Sequence, residues 1–163
     1  MSVTPNAAAL GRRAWHAMRA GGFATGALLV LVAVGVLLHQ PVLIPPLAAS
    51  AALVHGAPGL PISQPRNLVG GQLLSAVVGF LVLAAAGPGP WAAAVAGGLA
   101  LVAMLVAHVP HSPAAATAVI VVLQSPRPGV FLPLLALAAA VLVLFGLLPH
   151  RVGGHPVRYP AAW

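Results

Sequence analysis

Apolar residues fill four long runs of the chain, and proline, glycine or histidine interrupts the sequence at the ends of each run. The runs cover residues 21–39, 65–86, 91–108 and 130–148. A helix needs about 20 apolar residues to cross the hydrocarbon core of a bilayer. The pattern therefore predicts an all-α polytopic membrane protein with four long transmembrane helices.

Two shorter apolar stretches lie between the long runs, and each begins at a proline. Pro46–Val54 and Pro113–Val121 align without a gap and share the proline, a hydroxyl residue (Ser50 or Thr117) and the final valine. Each stretch is too short to cross a bilayer alone. We predict two half-helices, each directing free backbone N–H groups and a positive dipole end into the protein.

The order of parts occurs twice along the chain: long helix, proline-started short helix, Pro-Arg step, long helix. This order predicts an internal duplication, with repeat 1 at about residues 21–86 and repeat 2 at about residues 88–148. Paired broken helices place a small-solute site near the middle of the membrane. Two topologies remain open. If the half-helices re-enter, the repeats are parallel; if each completes a crossing, every repeat has three passes and the repeats are inverted.

The charged residues of the chain indicate which class of solute such a site would bind. The chain has seven Lys and Arg residues together, all of them arginine, and no Asp, Glu or Cys. Cation sites and proton relays usually use carboxylates, so the excess of donors favours an anion or a neutral polar solute. We expect no metal and no cofactor. Basic segments at residues 1–20 and 149–163 predict, by the positive-inside rule, a multi-pass inner-membrane protein with both termini cytoplasmic.

Polar residues near the half-helices are the candidate substrate-binding residues. Arg66 and Arg127 begin equivalent helices of the two repeats, and without any acid each must face water, carbonyls, an anion or lipid phosphate. His111 precedes the second half-helix and is suited to donating to an anion or to accepting a proton. The other candidates either line a cavity or tie irregular segments together, and Ser112 is also expected to cap its helix. They are Gln64, Asn67, Gln72, Ser50, Ser112 and Thr117.

Three blocks of the sequence resemble a known family. Ser63–Gln72 resembles the Gln-Pro-Arg-Asn…Gly-Gly-His signature of the HPP family of integral membrane proteins. His111–Ala118 resembles the naming motif His-Pro-Pro-x-x-Ala-Thr-Ala, and Pro46–Ala51 resembles the family's Pro-Phe-Gly-Ala-Ser-Ala stretch. The resemblance covers roughly residues 20–150. Within it, Gln72 stands in place of histidine and Ser112 in place of the first proline of the naming motif.

The resemblance implies a membrane-embedded protein of about four helices, and plant and cyanobacterial members are associated with nitrite transport. We therefore predict a channel or transporter for a small inorganic anion, nitrite-like by resemblance. The alternative is a non-transporting structural or regulatory module that binds a lipid or protein partner. An enzyme built on Ser75 and His111 is disfavoured because no acid is available to orient the histidine. The expected partners are an anion and membrane lipid, with a homo-oligomer allowed and no nucleic acid.

Overall fold

A computed structural model describes residues 7–151 and 159–161, and its regular elements are helical. Proline starts most helices because its missing N–H has no partner in a first turn. The helices are α1 (Ala7–Leu38), α2 (Pro45–Gly56), α3 (Pro65–Ala86), α4 (Pro90–Val106), α5 (Ser112–Gln124) and α6 (Pro128–Arg151), with a 3₁₀ turn at Pro61–Ser63 before α3.

The lengths of the helices modify the predicted set of spans. Among the described residues, α1, α3 and α6 are long and apolar enough to cross a membrane. Helix α4 has only 17 residues, a length of about 26 Å against a hydrocarbon core of about 30 Å. The structure therefore supports three of the four predicted long spans, whereas the fourth is a shorter apolar helix. Helices α2 and α5, with 12 and 13 residues, match the predicted half-helices.

Helix α1 is longer than the first apolar run. It continues without a break from Ala7 to Leu38, a total of 32 residues, or about 48 Å. Residues 7–20 therefore extend the spanning helix and do not form a separate helix. Because this length exceeds the hydrocarbon thickness of about 30 Å, part of α1 reaches beyond it.

The connections between helices gather at two ends of the bundle. In the first half of α1, Arg19 shares a cavity with His55 of α2 and Pro149 of α6. Close by in the fold, the start of α3 and the segment after α4 share another cavity through Arg66 and His108. We name this the terminal end, because the described chain begins there and α6 finishes there.

The opposite end holds the remaining connections. Gln40 after α1, Ile44 before α2 and Arg127 between α5 and α6 line one cavity. Each helix consequently runs opposite to the preceding one, and the chain makes three passes through the bundle in each half. These directions make α2 and α5 antiparallel, as in the inverted one of the two arrangements that the sequence left open; the internal duplication itself stays a prediction.

Helices α1 and α4 finish in the same way. His39 and His108 both adopt left-handed backbone, with φ of 53° and 55°. The next backbone N–H groups, of Gln40 and Val109, each donate at 2.9 Å to the carbonyl five residues earlier. This is the Schellman ending of a helix, usually made by glycine. The first helices of the two predicted repeats therefore share the same ending.

A ridge of small residues on α3 brings α5 close, as the spacing of Gly71, Ser75 and Gly79 predicts. A Cβ atom at Gly79 would lie 2.9 Å from the Ala118 Cα, and one at Gly71 would lie 2.7 Å from the His111 Cβ. Such distances leave no room for a side chain. The ridge therefore sets the depth at which α5 starts.

Candidate functional site

Helices α2, α3 and α5 meet around four polar side chains in the interior. Ser50, Gln72, His111 and Thr117 are each 0% exposed, and we name them the buried polar cluster. All four are among the residues that the sequence predicts as substrate-binding. Burying so many polar groups is costly unless each has a hydrogen-bond partner.

The cluster forms a continuous chain of hydrogen bonds with Gln72 at its centre. Thr117 Oγ1 donates to Gln72 Oε1 at 2.5 Å, and Gln72 Nε2 donates to Ser50 Oγ at 3.0 Å. Ser50 Oγ lies 2.8 Å from His111 Nε2. The other ring nitrogen, His111 Nδ1, donates to the Ile62 carbonyl oxygen at 2.7 Å. The chain thus joins three helices and the 3₁₀ turn.

The hydrogen-bond partners of His111 suit both the neutral and the protonated imidazole ring. A carbonyl only accepts, so the bond to Ile62 requires a proton on Nδ1. The single hydroxyl proton of Ser50 has two acceptors within 2.8 Å, namely His111 Nε2 and the Pro46 carbonyl oxygen. With a neutral ring, the hydroxyl donates to Nε2. With a protonated ring, Nε2–H donates to Ser50 Oγ and the hydroxyl turns to Pro46. Neither state leaves a ring N–H without an acceptor.

Ser75 lies on the same ridge of α3 and is also buried. Its hydroxyl donates to the backbone carbonyl of Ala114, and it is thereby engaged in holding α3 against α5. The pairing of Ser75 with His111 that an enzyme would need is replaced by bonds from His111 to Ser50 and Ile62.

A cavity of about 260 Å³ that several polar side chains line opens at the terminal end. Arg66 and His108 are exposed and Asn67 is half-buried there. Asn67 Nδ2 also donates to the Pro61 carbonyl oxygen at 2.8 Å. We name this the Arg66 cavity; its lining residues are Gly59, Pro61, Gln64, Arg66, Asn67, His108 and Ala161.

Gln64 hydrogen-bonds to the backbone segments that form the wall of this cavity. Its Nε2 donates to the carbonyl oxygens of Pro58 at 2.8 Å and Leu60 at 3.0 Å. Its Oε1 accepts the backbone N–H of Ala161 at 2.8 Å, which fixes the end of the described chain beside the cavity. One amide thus holds the irregular segment before α3 and the returning tail.

Two candidates lie away from the buried polar cluster. Ser112 is exposed, and the N-cap of α5 is His111, which makes no side-chain cap hydrogen bond. The predicted hydroxyl cap at Ser112 is therefore wrong, because the helix starts one residue too early for it. Arg127 lies at the opposite end from Arg66 and lines a separate cavity of about 260 Å³. The two guanidinium groups do not surround one ion in this structure.

The N-terminal tips of the two half-helices do not meet: the tip of α5 contacts the second turn of α2, and the tip of α2 lies elsewhere. His111, the N-cap of α5, contacts Ser50, which is in the second turn of α2. Ile44, the N-cap of α2, instead lines the cavity of Arg127. Neither that cavity nor the Arg66 cavity is lined by a member of the buried polar cluster. Packed polar side chains occupy the place where the sequence predicted one wet site.

The two arginine cavities are nevertheless built alike. Arg66 begins the last helix of the first half and shares its cavity with His108, which follows the first helix of the second half. Arg127 begins the last helix of the second half and shares its cavity with Gln40, which follows the first helix of the first half. The sequence analysis missed His108 and Gln40, although histidines end both α1 and α4.

Comparison with known proteins identifies the family of the chain. The family model described as "HPP, transmembrane region" matches residues 7–160. The chain belongs to the HPP family. The match confirms the resemblance that the Gln-Pro-Arg-Asn block indicated. Two residues of that block, Gln64 and Arg66, line the Arg66 cavity.

Two relatives from Dictyostelium discoideum, both named only as transmembrane proteins, are 34% and 35% identical to this HPP protein over 125 and 132 residues. The alignments cover 71% and 77% of this chain but 40% and 46% of the relatives. The chain therefore spans less than half the length of these relatives. No solved structure matches it.

Proposed function

We propose that this HPP family member is a channel or transporter for a small inorganic anion, nitrite-like by resemblance. The observation that carries the proposal is the Arg66 cavity, in which a guanidinium, an imidazole and an amide face an open space. The chain has no acidic side chain to neutralise them. Charge-assisted hydrogen bonds from guanidinium groups are strong and suit small oxyanions.

The buried polar cluster lies further inside the protein than this cavity, on the other side of the 3₁₀ turn. Pro61 of the 3₁₀ turn lines the Arg66 cavity, and the neighbouring Ile62 carbonyl accepts the hydrogen bond from His111. A rearrangement of this turn would open the cavity toward the cluster. All four cluster side chains are paired with protein groups, and we therefore propose that this arrangement is the closed state of such a pathway.

His111 gives the pathway a means of carrying charge together with the anion. An anion that enters a dry interior has a high desolvation cost unless a positive charge accompanies it. A proton on His111 Nε2 supplies that charge, and Ser50 accepts the resulting N–H once its own hydroxyl turns to Pro46. We propose that the anion and a proton occupy the cluster together.

The distribution of arginine supports a cytoplasmic location for the Arg66 cavity. Of the five arginine side chains that the structure describes, four belong to the terminal end and only Arg127 to the opposite end. Arginine concentrates on the cytoplasmic side of membrane proteins. We therefore propose an inner-membrane protein whose terminal end faces the cytoplasm. The four are Arg12, Arg13, Arg19 and Arg66.

Flux into liposomes tests the transport proposal. Purified protein in liposomes is expected to conduct nitrite, and nitrate and chloride are tested beside it. Arg66→Gln should lower nitrite flux about tenfold to a hundredfold, as expected from loss of a charge-assisted bond of about 1.5–3 kcal/mol. Arg12→Gln, in the part of α1 before the apolar run, is the matched control and should leave flux unchanged. No flux above empty vesicles for any of the three anions would refute the proposal.

One observation favours a second candidate, a membrane module that moves no solute. The buried polar cluster is tightly paired, and neither arginine cavity reaches it. Such packing also suits a structural or regulatory subunit. A stable partner that co-purifies with the chain, together with an absence of flux, would identify this function.

A further inference from the structure

The cavity beside Arg127 differs from the Arg66 cavity in the chemistry of its walls. Its polar groups, Arg127 and Gln40, lie at the end of the bundle. Its sides are apolar: Val42 and Ile44 of the extended segment before α2 form one wall, and Phe131 and Leu134 of α6 form the other. A small inorganic anion gains nothing from such walls. We name this the Arg127 groove.

The groove residues of α6 follow one face of the helix. Arg127 directly precedes α6, and its carbonyl oxygen accepts the Phe131 N–H at 2.9 Å. It lies four residues before Phe131, which lies three before Leu134, so the three positions follow one face of the helix. The groove thus starts at a cation and continues along apolar side chains for about 10 Å of helix axis. Because α6 is one of the helices long and apolar enough to span a membrane, the cation lies at headgroup depth and the apolar strip runs toward the bilayer centre.

The charge of the chain determines what can neutralise Arg127. The side chain is exposed, and the protein contains no Asp or Glu, so its counter-ion must come from outside the chain. A molecule complementary to the whole groove has an anionic head and an extended apolar tail.

We propose that the Arg127 groove binds one anionic phospholipid. Its phosphate lies against the Arg127 guanidinium, and one acyl chain lies between the extended segment at Val42 and the face of α6 at Phe131 and Leu134. Basic pockets between transmembrane helices bind anionic lipid headgroups, and the apolar walls of this groove add contacts for an acyl chain. The proposal is independent of transport, because it concerns a groove at the end of the bundle away from the Arg66 cavity.

Native mass spectrometry of the full chain in detergent tests the proposal, with phosphatidylglycerol and phosphatidylcholine as probes. The protein should retain one phosphatidylglycerol in preference to phosphatidylcholine. Arg127→Gln should weaken retention about fivefold to tenfold, as expected for one arginine at a membrane surface. Arg66→Gln is the matched control and should retain the lipid as the parent protein does. Equal retention of both lipids by the parent protein, or unchanged retention by Arg127→Gln, would overturn the proposal.

A second variant tests the apolar part of the groove without touching the charge. Val130 also lines it and is 40% exposed, so Val130→Trp fills the groove from its open side and should reduce phosphatidylglycerol retention while leaving thermal stability in detergent intact. Glycerol 3-phosphate, which carries the headgroup without chains, should not displace the lipid at equal concentration. Displacement by it would show a site for free phosphate, and full retention by Val130→Trp would exclude an acyl chain in the groove.

Discussion

Replacing Gln72 with leucine tests the energetic role of the buried polar cluster. The change keeps the approximate volume of the side chain and removes both hydrogen bonds that link Thr117 of α5 to Ser50 of α2. A buried donor left without a partner costs about 1–3 kcal/mol, although hydrogen bonds between membrane helices average about 0.6 kcal/mol. Thr117 regains part of the loss by donating to a carbonyl of its own helix. We expect Gln72→Leu to lower the free energy of unfolding by about 1–2 kcal/mol.

Reversible unfolding by SDS in mixed micelles, followed by tryptophan fluorescence, measures this change. A double-mutant cycle with Thr117→Val isolates the bond, because the double variant leaves no orphaned hydroxyl at position 117. The double variant should be more stable than the sum of the two single effects indicates. Strict additivity, or a Gln72→Leu protein as stable as the parent, would refute the assignment of Gln72 as the link between the half-helices.

Two further predictions follow from close contacts elsewhere. Gly79→Ala should destabilise the protein by about 1–3 kcal/mol in the same assay through overpacking, since its Cβ would lie 2.9 Å from the Ala118 Cα. The matched control Gly98→Ala, with nothing within 4 Å of the new Cβ, should be neutral or stabilising. Removal of residues 152–163 deletes Ala161, which bonds to Gln64 beside the Arg66 cavity, and should raise anion flux in liposomes; unchanged flux would show that this tail does not restrict entry.

Local chemistry explains why the helix starts and the small-residue ridge could be predicted. Proline at Pro65 and Pro113 marks a helix start because its effect is confined to the first turn. Glycine and serine spaced by four along α3 indicate a close helix contact for the same local reason. Predictions of this kind depend only on residues within a turn or two of one another.

Long-range pairing explains what could not be predicted. The bond between Gln72 and Ser50 joins residues 22 apart in sequence, and no periodicity specifies it. The sequence identified Arg66 and Arg127 as equivalent but did not determine the direction of each helix, which places them at opposite ends of the bundle. The N-cap at His111 was also missed, because the long-range contacts of its ring with Ser50 and Ile62 hold it at the helix start.

The opposed directions of the two halves have a consequence for insertion. A single three-pass unit of this design would have to enter the membrane both ways up in order to rebuild the bundle from two copies. When the two halves are joined in one chain, no unit has to insert in both orientations. The joined chain then needs a single preferred orientation in the membrane. Among the described arginine side chains, the concentration around α1 and Arg66, against Arg127 at the other end, is what we expect to give that preference.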